Sequence, residues 1–128
     1  MKANPPMRIL HIDDEEDARE LIATTFSLAG YEVTSAATIE TGMEIAKLNR
    51  FDLYIVDSHY PDGLGPQLCS RLHILNKKIP IVVYTGSDLD SDRKAVMDAG
   101  ATIYLVKPHD IDELETIVAN LTKCLRNE

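Results

Sequence analysis

Short apolar runs alternate with longer amphipathic segments along this chain. The runs are four to six residues long and rich in Ile, Val, Leu and Tyr, which is typical of β-strands. The segments between them repeat an apolar residue every three or four positions, as the buried face of a helix does. The first such segment carries Ala18, Leu21, Ile22, Thr25, Phe26 and Ala29. The pattern therefore predicts strands and helices in alternation.

Five strands and five helices are predicted. The strands are residues 7–12, 31–36, 53–56, 81–84 and 103–106. Thr38 is a suitable N-cap for the second helix, while Gly30 and Gly100 end the first and fourth helices. Asp110 and Glu113 form a capping pair for the last helix. The apolar positions of the third and fifth helices, which we expect in the core, are Leu68, Leu72, Leu75, Leu114, Ile117, Val118, Leu121 and Leu125.

The burial of each strand can also be predicted from its residues. Residues 53–56 are apolar throughout, as in a parallel strand covered by helices on both faces. Residues 31–36 are more polar, which indicates an edge strand. Together with right-handed crossovers, this predicts an α/β, flavodoxin-like, doubly wound (βα)5 sandwich with a five-stranded parallel sheet of order 2-1-3-4-5. We expect a single domain over residues 1–128, with its core at about residues 7–125.

Reactive side chains follow four of the predicted strands. Asp13 and Asp14 follow the first, Asp57 the third, Thr85 the fourth and Lys107 the fifth. The carboxyl ends of parallel strands share one edge of the sheet, where open α/β folds bind ligands. Three carboxylates brought together there repel one another unless a cation lies between them. Oxygen ligands alone favour a hard cation, so the sequence predicts an Mg2+ site.

The same residues suit phosphoryl transfer. We expect Asp14 and Asp57 to bind the metal directly and Asp13 to act mainly through bound water. Asp57 can be the nucleophile toward a phosphoryl group, with Lys107 and the metal balancing the charge and Thr85 donating a hydroxyl proton. Simpler explanations exist: Asp13 and Asp14 could be only helix N-caps, and Asp57 only the ion-pair partner of Lys107.

Composition excludes several classes of function. A formal net charge of -8 argues against binding to a phosphate backbone, so we expect no nucleic-acid partner. No stretch has the roughly 20 apolar residues of a membrane span, and residues 1–7 lack the apolar core of a secretory signal. Cys69 and Cys124 lack metal-site spacing and indicate reduced thiols. We therefore expect a cytoplasmic protein that does not bind a membrane.

The order and spacing of these residues resemble the receiver domain of two-component response regulators. The matching segments are HIDDEED around Asp13 and Asp14, YIVDSHYPDG around Asp57, VVYTGS around Thr85 and YLVKP around Lys107. The resemblance covers essentially the whole chain and matches the chemotaxis-regulator-like, single-domain form. It implies that Asp57 accepts a phosphoryl group from a sensor histidine kinase or a histidine phosphotransfer protein. The resulting 4-aspartylphosphate would later hydrolyse.

The resemblance also implies a complete metal site and a conformational switch. Asp13, Asp14 and Asp57 would hold Mg2+ or Mn2+, with the backbone carbonyl of His59 as a further ligand. Thr85 would move toward the phosphoryl group, and Tyr104 would turn inward. This movement would reshape the face of the fourth helix, fifth strand and fifth helix, which would bind a downstream protein target.

The resemblance further implies that the side chains at His59 and Ser87 tune hydrolysis of the acyl phosphate. With an imidazole at the first position and no acid or amide at the second, we expect slow autodephosphorylation. The Lys107–Pro108 bond is expected to be cis.

The chain departs from the usual family pattern at a few positions. Tyr60 stands where Met or Leu is frequent, Leu64 replaces a frequent Asp, Gly86 replaces a frequent Ala, and His109 replaces an apolar aromatic. Neither Tyr60 nor Leu64 is expected to take part in the chemistry.

A signalling switch is the favoured function. Its chemistry would be self-directed phosphotransfer and autodephosphorylation, so we do not expect an enzyme acting on a separate substrate. An alternative is an Mg2+-dependent aspartyl-phosphate phosphohydrolase, but haloacid-dehalogenase-like enzymes have a DxDx(T/V) motif where this chain has IDDEE. Flavin binding is a third possibility, although the five acids at 13–17 would repel a phosphate. The sequence as given ends just beyond the fifth helix, so we expect output through a protein contact; a free-standing regulator and a domain of a longer protein would look the same in this sequence.

Overall fold

The computed structural model describes residues 5–107 and 111–126, with side chains as far as residue 123. The elements in chain order are β1 (Arg8–Ile12), α1 (Glu16–Leu28), β2 (Glu32–Ala36), α2 (Ile39–Leu48), β3 (Leu53–Val56), β4 (His59–Tyr60), β5 (Gly63–Leu64), α3 (Gly65–Leu75), β6 (Ile81–Thr85), α4 (Asp90–Asp98), β7 (Ile103–Val106) and α5 (Ile111–Arg126). Each predicted strand is present to within one residue. The alternation predicted from the sequence is therefore confirmed.

The main sheet has five parallel strands in the order β2-β1-β3-β6-β7. Counting only these strands, this is the predicted order 2-1-3-4-5. β3 lies at the centre and is buried at every position, whereas β2 is an edge strand with exposed positions. In register, Ile12 of β1 lies beside Val56 of β3, so the chain leaves both strands at the same level of the sheet.

A small antiparallel hairpin formed by β4 and β5 follows β3, and the sequence did not predict it. Tyr60 pairs with Gly63 across its turn, where Gly63 adopts a φ of 158°. The Asp62 carboxylate accepts hydrogen bonds from the N–H groups of Ile39 at 3.0 Å and Glu40 at 3.1 Å. The hairpin is thereby anchored to the N-terminus of α2.

Capping residues define several of the predicted helix ends. The Thr38 hydroxyl accepts a hydrogen bond from the Thr41 N–H at 3.1 Å, which starts α2. Gly30 after α1 and Gly100 after α4 have φ values of 96° and 117°, as a helix C-terminus requires. The predicted cap of the last helix involves Asp110, which lies outside the described residues.

Helices cover both faces of the sheet and create two apolar cores. Residues of α2, α3 and α4 pack on one face, and residues of α1 and α5 on the other. The expectation that all leucines of the helical stripes are buried was wrong for Leu21 and Leu75, which are 52% and 41% exposed. Leu21 lines a surface cavity that also includes Asp13 and Lys107. No described helix has the length and apolar character needed to span a membrane.

Candidate functional site

Three carboxylates meet at the carboxyl edge of the sheet. Asp13 and Asp14 follow β1, and Asp57 follows the neighbouring β3. One oxygen of each lies within 4.8 Å of an oxygen of the other two. Asp13 is fully buried, Asp14 is exposed and the Asp57 side chain is 13% exposed. This set of close oxygen donors, open to solvent on one side, fits a hard divalent cation.

Lys107 connects the buried carboxylates. Its Nζ atom lies 2.7 Å from Oδ2 of Asp13 and 3.3 Å from Oδ2 of Asp57. Burial alone would lower the pKa of Lys107, but the two carboxylates outweigh it and raise the pKa. The backbone N–H of Lys107 also donates a hydrogen bond to the Thr85 carbonyl at 2.6 Å. The ammonium group is thus a positive charge held beside both Asp13 and Asp57.

Asp13 is held in its charged form by its neighbours. Burial would raise its pKa, but contacts with His11, Lys107 and the Glu15 N–H hold the pKa of this carboxyl well below its usual range. The Glu15 N–H lies 3.0 Å from Oδ1. An Arg19 guanidinium nitrogen donates to the Asp13 backbone carbonyl at 2.9 Å. Both the side chain and the backbone of Asp13 are therefore fixed.

Tyr60 holds the ends of β1 and β3 together. Its hydroxyl accepts a hydrogen bond from the Asp57 N–H and donates one to the Ile12 carbonyl, both at 2.7 Å. Burial raises the pKa of Tyr60, so the hydroxyl keeps the proton that it donates. The sequence assigned no role to this residue. The only signal was a hydroxyl-bearing aromatic at a position where the family often has Met or Leu.

Gly65 permits the close approach of the hairpin to Asp57. A Cβ atom at this position would lie 2.6 Å from the Ser58 Cα and 2.7 Å from the Asp57 carbonyl oxygen. The Gly65 N–H donates to the Ser58 carbonyl at 2.8 Å. A side chain at this position would therefore push against the backbone that carries Asp57.

Thr85 is bonded to Ser58 rather than to Asp57. Its Oγ1 lies 2.6 Å from the Ser58 Oγ and accepts from the Ser87 N–H at 3.3 Å. The Ser58 Oγ also lies 3.1 Å from Nδ1 of His59. His59, two residues beyond Asp57, is exposed, and its use as a backbone metal ligand stays a prediction. Ser58 was not singled out in the sequence.

Tyr104 contacts the chain that follows Thr85. Its hydroxyl donates to the Ser87 carbonyl at 2.7 Å, and its ring packs partly buried against the core on the α2–α4 face. The Ser87 hydroxyl donates to the Asp92 carboxylate in α4 at 2.6 Å. The structure thus brings Tyr104 and Ser87 together, and their roles in switching and hydrolysis stay predictions.

His11 is an ionisable group inside β1 that the sequence interpretation passed over. It is 1% exposed, and its Nε2 lies 3.7 Å from Oδ2 of Asp13. Its Nδ1 has no hydrogen-bond partner among the described residues. Burial lowers the pKa of His11, although Asp13 partly opposes this effect. A histidine within the otherwise apolar run ILHI was the available signal.

Known proteins are similar to this chain in sequence and in fold. Residues 9–119 match the model of the response regulator receiver domain. The response regulator MprA of Mycobacterium sp. (strain KMS) is 36% identical over 109 residues, which are 85% of this chain and 47% of the relative. A CheY-like receiver domain protein from Methanospirillum hungatei is 28% identical with a TM-score of 0.88, covering 96% of this chain and 99% of the other.

A further solved structure is the response regulator TrrA of Thermotoga maritima in complex with Mg2+ and BeF. It is 29% identical with a TM-score of 0.81, covering 90% of this chain and 98% of the other. The chain spans about half the length of the curated relatives that it matches. The family model, by contrast, accounts for most of the described residues. The protein belongs to the response regulator receiver domain family.

Proposed function

We propose that this chain is a phosphorylation-activated switch of a two-component system, with Asp57 as the phospho-acceptor. The observation that supports this most directly is that the carboxylates of Asp13, Asp14 and Asp57 lie close together and that the Lys107 ammonium group contacts two of them, Asp13 and Asp57. That arrangement offers a nucleophile, a cation site and a fixed positive charge at one position. The family match favours the switch over an Mg2+-dependent phosphohydrolase.

The reaction would transfer a phosphoryl group from a phosphohistidine to Asp57. The P–N bond of the donor breaks, a carboxylate oxygen of Asp57 forms the new P–O bond, and the product is an acyl phosphate. Asp13, Asp14, Asp57 and the His59 carbonyl would hold Mg2+ or Mn2+, which supplies positive charge to the phosphoryl oxygens. Lys107 pairs with one of these oxygens from a position that its contacts with Asp13 and Asp57 already define.

Phosphorylation would be transmitted through Thr85 and Tyr104. Thr85 lies at the end of β6, and its carbonyl already binds the backbone of Lys107. Tyr104 on β7 is bonded to Ser87, two residues beyond Thr85. A movement of Thr85 toward the phosphoryl group would therefore change the contact that Tyr104 makes. The resulting change in the face of α4, β7 and α5 would select a downstream protein target.

Phosphorylation by a small donor tests the proposal. Incubation with Mg2+ and acetyl phosphate, followed by intact-protein mass measurement, should show one added phosphoryl group that Asp57→Asn abolishes. Asp98→Asn is the matched control, because Asp98 is an exposed carboxylate on α4 that forms an ion pair with Lys94, away from the three carboxylates. Failure of the wild type to gain the group, or turnover of a generic phosphatase substrate, would contradict the proposed function.

A further inference from the structure

Ser58 touches both the phospho-acceptor and the switch threonine. Its N–H donates to Oδ1 of Asp57 at 2.6 Å, and its Oγ lies 2.6 Å from Oγ1 of Thr85. Ser58 and Thr85 are 2% and 1% exposed, so water has little access to the pair. A single residue thus links the carboxylate at the end of β3 to the hydroxyl at the end of β6.

The backbone of Ser58 has little freedom to move away. Its carbonyl accepts from the Gly65 N–H at 2.8 Å, and Gly65 approaches so closely that a Cβ there would lie 2.6 Å from the Ser58 Cα. The Ser58 N–H is held by Asp57. Both backbone groups of Ser58 are therefore held at a place where its hydroxyl lies 2.6 Å from Oγ1 of Thr85.

The contacts of Ser58 allow a hydrogen-bond chain in which Thr85 is the donor to Ser58. A hydroxyl carries one proton and two acceptor positions. If the Ser58 proton is donated to Nδ1 of His59 at 3.1 Å, the Ser58 Oγ accepts the proton of Thr85, and Thr85 in turn accepts from the Ser87 N–H. In this arrangement the hydroxyl proton of Thr85 is donated to Ser58 and cannot at the same time be donated to a phosphoryl oxygen.

We propose that Ser58 is a positioning residue that holds the Thr85 hydroxyl where it lies when Asp57 is unphosphorylated. Phosphorylation of Asp57 must then break the Ser58–Thr85 hydrogen bond. This rests on the proposed function of Asp57 and Thr85. Ser58 therefore adds to the free-energy difference between the two states of the switch. Removing its hydroxyl deletes the 2.6 Å contact that holds Thr85 and makes the phosphorylated state easier to reach.

Binding of beryllofluoride with Mg2+, a mimic of the phosphoryl group, measures this effect. A net buried hydrogen bond contributes enough to change an equilibrium about fivefold, so Ser58→Ala should lower the apparent Kd by about that factor. Ser58→Gly should give the same shift if Ala packs poorly. Ser70→Ala is the matched control, because Ser70 is a partly buried serine on α3. Its Kd should equal that of the wild type.

A double-mutant cycle with Thr85 separates positioning from ordinary structural support. If Ser58 acts through Thr85, Ser58→Ala should leave the Kd of a Thr85→Ala protein unchanged, although both changes can lower the free energy of unfolding. The role of Ser58 is contradicted if Ser58→Ala leaves the Kd unchanged, or if it shifts the Kd equally in the wild-type and Thr85→Ala proteins. Neither result would contradict the proposed function. A wild-type protein that gains no phosphoryl group on Asp57 and binds no beryllofluoride overturns the proposed function as well.

Discussion

Removing the Tyr60 hydroxyl tests how the site is held together. Tyr60→Phe keeps the buried ring and deletes one oxygen atom, which makes two hydrogen bonds of 2.7 Å, one to the Asp57 N–H just after β3 and one to the Ile12 carbonyl at the end of β1. Each such bond contributes about 1 kcal/mol net, and a buried group left without a partner costs about 1–3 kcal/mol. Because the Ile12 carbonyl belongs to a fully buried residue, we expect a loss of about 2–4 kcal/mol in the free energy of unfolding.

The assay is urea unfolding followed by circular dichroism. The slope of the free energy of unfolding against urea concentration should be the same as in the wild type. Mg2+ titration supplies a second measurement, since loosening the ends of β1 and β3 should weaken metal binding by Asp13 and Asp57. Tyr31→Phe is the matched control, because among the residues that the structure describes the Tyr31 hydroxyl has one hydrogen bond, at 3.1 Å to Thr122, away from the three carboxylates. It should lose no more than about 1 kcal/mol and bind Mg2+ normally. Equal losses in the two variants would refute the reasoning.

Three further predictions concern acid sensitivity, backbone packing and phosphoryl lifetime. Burial holds the pKa of His11 below the unfolded value of 6.5, so stability is full above pH 6.5 and declines as pH falls below it, when only the unfolded chain takes up the proton. Urea unfolding can be compared at pH values about one unit above and about one unit below 6.5. On this fall in pH, His11→Leu should lose less free energy of unfolding than the wild type, and an equal loss contradicts the prediction. Gly65→Ala should cost about 1–3 kcal/mol in thermal or urea unfolding and slow phosphorylation, whereas Gly86→Ala, with open space around its Cβ, should be neutral or slightly stabilising. A destabilised Gly86→Ala with an unaffected Gly65→Ala would reverse that argument. His59→Asn should shorten the lifetime of the phosphoryl group on Asp57, measured by intact mass after donor removal, and an unchanged lifetime rules out a protective role for the imidazole.

The fold could be predicted almost completely, because the information for it is local. The fully apolar run 53–56 identified the central strand, and the polar run 31–36 identified the edge strand. The hairpin was missed because its two-residue strands are too short to show a period. Leu21 and Leu75 kept the helical spacing but lie at the margins of the covered faces, and spacing alone does not show where a covered face ends.

The site residues that could be predicted from the sequence are those that directly follow a strand. Asp13, Asp57, Thr85 and Lys107 each follow a strand, and parallel strands bring such positions to one edge. Tyr60 and Ser58 follow no such rule, since their importance depends on distances between separate segments of the fold. The close approach at Gly65 is likewise visible only in three dimensions.

The bond between Lys107 and Asp13 has a consequence for how the molecule is made. It joins residues 94 positions apart, and β7 stands three places from β1 in the sheet. During synthesis, the aspartates of β1 and β3 emerge from the ribosome well before the lysine that neutralises them. Contacts so distant in sequence close late, after most of the loop entropy has been lost. A nascent or truncated chain without β7 therefore lacks the Lys107 ammonium group that contacts Asp13 and Asp57. Under the proposed function, the competence of Asp57 to accept a phosphoryl group would therefore depend on completion of the sheet by β7.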